Sequence, residues 1–210
     1  IDSRYGWSLG RLCDQLLILK GLLYIGIQTL FLAPNCFPWG NHSKASPPQV
    51  REPKRLAEEP ALEFLAVCCF FQVLLGRRYI IENCAYSDIF TCSPLRYLRR
   101  IPYYKALLDQ CACGGEINGQ PVRKRSEFQS SHQIQHLHAM CPGGHKHLTL
   151  RGGGLPAASA RYPEEECNRI LSECVNPAIV PEGGRLMPPK MTFSREQPLE
   201  DILYELREIA

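Results

Sequence analysis

Apolar positions set out the first half of the chain as helix, strand, helix, strand. Leu9, Leu12, Leu16 and Leu19 recur at helical spacing, and Ser8 can cap a helix running to about Lys20. Gly21 breaks that pattern. Ile25 to Ala33 follows as a continuous apolar run of strand length, the signature of a strand covered on both faces. Residues 40–60 turn polar, with Pro47, Pro48, Pro53 and Pro60, and read as a long loop. Ala61 to Leu75 is a strongly apolar helix that Gly76 ends. "RYIIE", Arg78 to Glu82, is a short strand directly after it. Strand, helix, strand at this spacing is a βαβ unit and predicts parallel neighbours. The fold class expected is α/β, a partial Rossmann-like, mostly parallel sheet with helices.

Beyond residue 100 the pattern changes. "YYKALLDQCACGG" and "QPVRKRSEFQSS" flank Asn118-Gly119, which predicts a hairpin. A short helix is expected over His132–Met140, then a Gly/His/Cys-rich loop, "CPGGHKHLTLRGGG". Gly152-Gly153-Gly154 lacks the Lys-Ser/Thr of a phosphate loop and reads as a turn. Pro163 opens a helix to Cys174, with Glu164, Glu165 and Glu166 favourably placed in its first turn. Residues 1–175 thus form one α/β domain. Residues 176–210 form a proline-rich tail with a short amphipathic helix from Leu199 to Ile209.

Charge adds an asymmetry that the net value of +3 conceals. Residues 94–125 carry seven cations, Arg96, Arg99, Arg100, Lys105, Arg123, Lys124 and Arg125, against Asp109 and Glu116. Residues 163–210 carry ten acidic and five basic side chains. A basic middle and an acidic tail predict a polyanion-binding face, with DNA or RNA as the partner through residues 96–125. The chain has 11 cysteines, an odd count, and its start shows no secretory leader. A reduced, intracellular protein, nuclear or cytoplasmic, is expected. Leu16 to Ala33 is long enough to span a bilayer, but Lys20, Gln28 and two glycines interrupt it, so no membrane span is expected.

Two constellations carry chemistry. In an open α/β sheet, ligands bind outside the carboxyl ends of the strands. Cys36 lies just past one strand end, in "FLAPNCFPWG", and Glu82 and Asn83 lie at the next. Adjacent strands would bring thiol and carboxylate into one crevice, suited to attacking and protonating a planar electrophile. The second is Cys141-x3-His145-x-His147, thiolate and imidazole ligands of the kind zinc prefers. The fourth place falls to Cys167, after a 19-residue gap, or to Cys111 or Cys113 upstream; Cys167 completes the expected set.

The ordered motifs "APNCFPWG", "IIENC" and "GQPVRKR" resemble the catalytic core of the cytosine-5 DNA methyltransferases. With "GWSL", "GRRYIIENCAYSDIF", "DQCACGG", "CPGGHKH" and "ARYPEEEC", residues 1–174 resemble methyltransferase-like open reading frames carried by retroelements of unicellular algae. That resemblance implies a methyltransferase-type fold with S-adenosylmethionine as methyl donor. It implies Cys36 as the nucleophile on C6 of cytosine, Glu82 as hydrogen-bond partner and proton source at N3, and Arg123 and Arg125 as supports of the base or its phosphate. The target base would be flipped or single-stranded. The glycine-rich cofactor loop of the family is expected upstream of residue 1. The function implied is a truncated or degenerate DNA (cytosine-5) methyltransferase-like protein. The alternative is a non-catalytic, zinc-stabilised nucleic-acid-binding module.

Overall fold

The computed structural model describes residues 8–150 and 154–175. Helix α1, Leu12–Ile25, starts where Asp14 accepts the Ser8 backbone N–H at 2.8 Å, and stops at Gly26, whose φ of 67° suits glycine. The expected break at Gly21 does not occur. A helical glycine costs only about 0.5–1 kcal/mol relative to alanine, and Leu17, Ile18 and Leu22 are buried around it. Ile18 and Leu22 pack against Phe64 and Cys68 of the long helix described next, which outweighs that cost.

After strand β1, Thr29–Leu32, and a helical turn α2, Asn41–Lys44, comes α3, Pro48–Leu74. The polar stretch expected to be a loop is thus mostly helix. Pro48 suits the first turn, where no N–H is needed, but Pro53 and Pro60 lie inside the helix and each removes one hydrogen bond. A tertiary anchor holds this half. The Arg55 guanidinium lies 4.9 Å over the buried Trp39 ring and donates to Asp88 at 2.6 Å. That contact joins residues far apart in sequence, so local preference gives no sign of it.

Strand β2, Arg78–Cys84, pairs in parallel with β1, Thr29 opposite Arg78 and Leu32 opposite Ile81, as the βαβ reading requires. A turn α4, Ile89–Cys92, and a 3₁₀ segment, Pro94–Arg100, lead to β3, Tyr104–Asp109. A 3₁₀ turn over 110–113 precedes β4, Glu116–Ile117, and β5, Gln120–Pro121. Asn118 and Gly119 join these two at φ 52° and 73°, the left-handed pair that the Asn-Gly signal predicts. The chain then enters β6, Arg125–Ser130.

The main sheet has the order β1-β2-β6-β3. Here the expectation of a mostly parallel sheet is corrected. β6 runs antiparallel between β2 and β3, so the sheet is mixed, with one parallel and two antiparallel pairings. The reversal follows from the turn chemistry. The Asn118-Gly119 turn folds the chain back between the arms, and β3 pairs antiparallel with β6. β1, β2 and β3 still point one way, and their carboxyl ends meet the start of β6 at one rim.

Alternation along β2 assigns the two faces. Tyr79 and Ile81 pack with Trp39, Leu62, Leu65 and Cys69 under α3. Ile80 packs with Phe128, Leu108, Leu137 and Ile170 on the other side, where α6, Glu164–Cys174, lies; a turn α5, Leu155–Ala158, comes before it. The helix expected over His132–Met140 is only a 3₁₀ turn at Gln135–Leu137, because Ala139 pairs with β3 instead. The tail and its helix at 199–209 lie outside the described residues. No helix among the described residues is long and apolar enough to cross a membrane.

Candidate active site and metal cluster

Cys36 stands on the turn that follows β1, and it is exposed. Its carbonyl accepts the backbone N–H of Trp39 at 2.8 Å and of Gly40 at 2.7 Å. Trp39, 1% exposed, buries the far side of the turn in the core. Asn83 does not point its amide at a ligand; it donates to the Pro34 carbonyl at 2.9 Å and so ties the Cys36 turn to β2. Gly40 is there for closeness. A Cβ at that position would stand 2.7 Å from the Cys84 sulfur. The side chains that carry the site therefore meet because two strand ends are laced together.

The surroundings of Cys36 shift its titration. Its pKa falls from 9.0 to about 6, chiefly through its interaction with the neighbouring Cys84 thiol, whose own hydrogen bond runs to Asn83 Oδ1 at 3.6 Å. Burial opposes this, the Lys124 charge assists it, and the Glu82 charge opposes it again. Cys84 is correspondingly pushed up, since it holds the proton that stabilises its neighbour. A thiol titrating near 6 is thiolate at neutral pH, the reactive form.

Glu82 lies two residues before Cys84, on the same side of β2, and is buried. Its Oε2 accepts the Tyr162 hydroxyl at 2.8 Å. Behind it, Glu166 in the first turn of α6 is 0% exposed and neither of its carboxyl oxygens has a hydrogen-bond partner. Burial, then the Glu82 charge, raise Glu166 to about 7, against the pull of Lys124. Glu166 is therefore partly protonated at neutral pH.

Arg123 and Arg125 converge on Asp109, the last residue of β3, which is fully buried. Arg125 grips both carboxylate oxygens at 2.7 Å, and Arg123 approaches to 3.7 Å. Burial raises the Asp109 carboxyl, but these cations and the Cys141 N–H outweigh it and hold it below its usual range. Arg125 is therefore spent on a structural ion pair, while Arg123 stays half exposed. The other cations lie apart. Arg96 and Arg100 stack on Tyr97 and Arg99 stacks on Tyr103, on the segment leading to the amino end of β3.

Cys141, His145 and His147 do converge, as the spacing predicts. The Cys141 sulfur stands 3.6 Å from His145 Nε2 and 3.4 Å from His147 Nε2, and the two nitrogens are 3.0 Å apart. The fourth member is Cys111. All four ligand atoms lie within 4.8 Å of one another, so the cluster can hold a metal ion. Cys167, the expected fourth ligand, is not among them. It sits in α6 with its sulfur 4.0 Å from the Tyr162 carbonyl, because that helix packs on the sheet face rather than on the glycine loop. Cys113, the other upstream candidate, is buried in the core.

Cys84, Tyr162, Glu166 and Asp109 belong to the site and were missed by sequence reasoning. Period-2 alternation from Glu82 was enough to flag Cys84. Nothing local marks Glu166, whose two neighbours are also glutamates. Comparison with known proteins finds no matching family model, no matching curated protein and no matching solved structure.

Proposed function

We propose that the Cys36 crevice is the base-addition site of a cytosine-5 methyltransferase-like domain, acting on a flipped or single-stranded cytosine. The observation that carries this reading is an exposed thiol of lowered pKa just past the end of β1, with the buried Glu82 near the end of its parallel neighbour β2 and the buried Glu166 on α6. The Cys36 sulfur forms a bond to C6, and the C5=C6 electron pair moves into the ring. A proton reaches N3 through Glu82, with Glu166 behind it as proton holder. C5 then takes a proton from water and loses its original hydrogen as a proton; N3 returns its proton through Glu82 as the C5=C6 bond re-forms and expels the thiolate. Asn83 and Gly40 position the nucleophile and do not touch the base.

S-adenosylmethionine, the methyl donor that the resemblance implies, is not matched by the residues present. Among the described residues, the ends of β1, β2 and β3 are taken up by the Cys36 turn, by Glu82 and Asn83, and by Asp109 with its arginines. None offers a glycine-rich loop opening a helix, so no step is routed through that cofactor. The nucleic-acid partner is supported by half-exposed Arg123, which follows β5 and reaches the carboxyl end of β3 at Asp109. The cofactor suggested for the Cys/His cluster is zinc, whose preferred ligands these are.

The test needs no methyl donor. Single-stranded DNA labelled with tritium at cytosine C5 is incubated with the chain, and released tritium is counted. Release above background, abolished by Cys36→Ser, is expected. No release by the native chain overturns the catalytic reading. If the same oligonucleotide binds without release, the protein is the non-catalytic nucleic-acid-binding module.

A further inference from the structure

The metal cluster has a geometry specific enough to assign. Zinc bonds of about 2.0–2.1 Å to nitrogen and 2.3 Å to sulfur, arranged tetrahedrally, place ligand atoms roughly 3.3–3.8 Å apart. The separations among Cys141, His145 and His147, 3.6, 3.4 and 3.0 Å, already lie at or just inside those edges. The ligands come from two segments far apart in sequence. Cys111 stands on the turn after β3, and Cys141, His145 and His147 stand on one loop. Gly143 and Gly144, at φ 79° and 76°, fold that loop back so that both imidazoles reach Cys141. The Gly143 N–H also points at the Cys141 sulfur, at 3.4 Å, a donor of the kind that stabilises a bound thiolate.

We propose that Cys111, Cys141, His145 and His147 form a closed, structural zinc centre that fastens the glycine loop to the end of β3. This rests on the zinc reading above and extends it to the ligand set and its role. Two thiolates and two neutral imidazoles cancel the charge of the ion and fill four places, which leaves none for a substrate or an attacking water. The centre is therefore not hydrolytic. Its consequence reaches the crevice. The Cys141 N–H donates to Asp109 at 2.9 Å, and Asp109 is the carboxylate that Arg125 grips. Ala139, two residues before Cys141, exchanges backbone hydrogen bonds with Leu107 and Asp109. Binding the ion thus stiffens the same strand end that anchors the arginines. Two thiols must lose their protons on binding, so affinity falls as the pH is lowered.

The test uses the full reduced chain, purified with zinc and separately loaded with Co(II). About one metal per chain is expected. The Co(II) form should show the intense visible bands of tetrahedral coordination and a sulfur-to-metal charge-transfer band. Cys111→Ser should lose about half of the charge-transfer intensity, one of two Co–S bonds being gone, and weaken metal binding, while Cys167→Ser should leave both unchanged. Because Cys111→Ser can fail to fold, the native chain is also alkylated with and without zinc and mapped by mass spectrometry. Zinc should protect Cys111 and Cys141 and leave Cys167 reactive. Metal uptake with protection of Cys167 in place of Cys111 overturns the ligand assignment and leaves the zinc reading standing. No metal uptake by the native chain overturns both.

Discussion

Replacing Cys84 by alanine removes the largest cause of the Cys36 pKa shift and leaves the turn otherwise intact. The deletion relieves contact at Gly40, where the Cys84 sulfur lies closest, so it opens space and forces no clash. Burial and the Glu82 charge still act on Cys36, and both raise its pKa, so the thiol moves back toward its ordinary 9.0. For a full return, thiolate at pH 7 would drop from about nine-tenths to about one-hundredth. Intrinsic nucleophilicity rises with basicity, with a Brønsted slope of about 0.4–0.5, which recovers roughly 15–30-fold over three units. The net loss in alkylation rate is then only about 3–6-fold at pH 7, but roughly 15–30-fold at pH 6. Above about pH 8 the order inverts and the variant reacts faster. Crossing profiles are thus the signature, and a single-pH rate is a poor test. Iodoacetamide labelling is followed from pH 5 to 10 on the Cys36 peptide by mass spectrometry, since 11 cysteines compete. Cys84→Ser keeps a donor and should keep the acidic limb. A native midpoint near 9, or one near 6 that survives Cys84→Ala, refutes the reasoning.

Glu166→Gln tests the buried proton. Its folded pKa, about 7, lies above the usual 4.5, so the native chain loses stability as pH rises from about 4.5 to 7 and the loss is complete above that. The variant should flatten that limb and be the more stable protein at pH 8, by roughly 1–3 kcal/mol in urea unfolding; equal pH dependence in both refutes the assignment. Asp109→Ala should cost about 3–5 kcal/mol, because it strands the Arg125 guanidinium. Adding Arg125→Met should recover part of that loss, and a cost under about 1 kcal/mol would show that the pair is not held as described.

Sequence by itself determined the parts that depend on local pattern. Apolar run lengths placed β1, β2 and the second half of α3, and the βαβ spacing made β1 and β2 parallel neighbours. Asn-Gly specified its turn because few other residues accept left-handed backbone at two consecutive positions. Cys36 and Glu82 were placed near one another by the expectation that each follows the end of one of two parallel neighbouring strands, and that pairing is present. Three of the metal cluster's four members were legible because they lie on one seven-residue loop. What only the tertiary structure decided depends on contacts between distant segments. Pro53 and Pro60 argued against a helix, and the Arg55 anchor on Trp39 and Asp88 overrode them. Cys111 and Cys167 were equally acceptable by residue type, and the choice waited on whether β3's end or α6 reaches the glycine loop. The arginines looked like one basic face until the buried Asp109 claimed Arg125. Cys84 owes its proton affinity to Cys36 and burial, and Glu166 to burial and the Glu82 charge, and a linear pattern cannot carry those, because desolvation is a property of the packed interior.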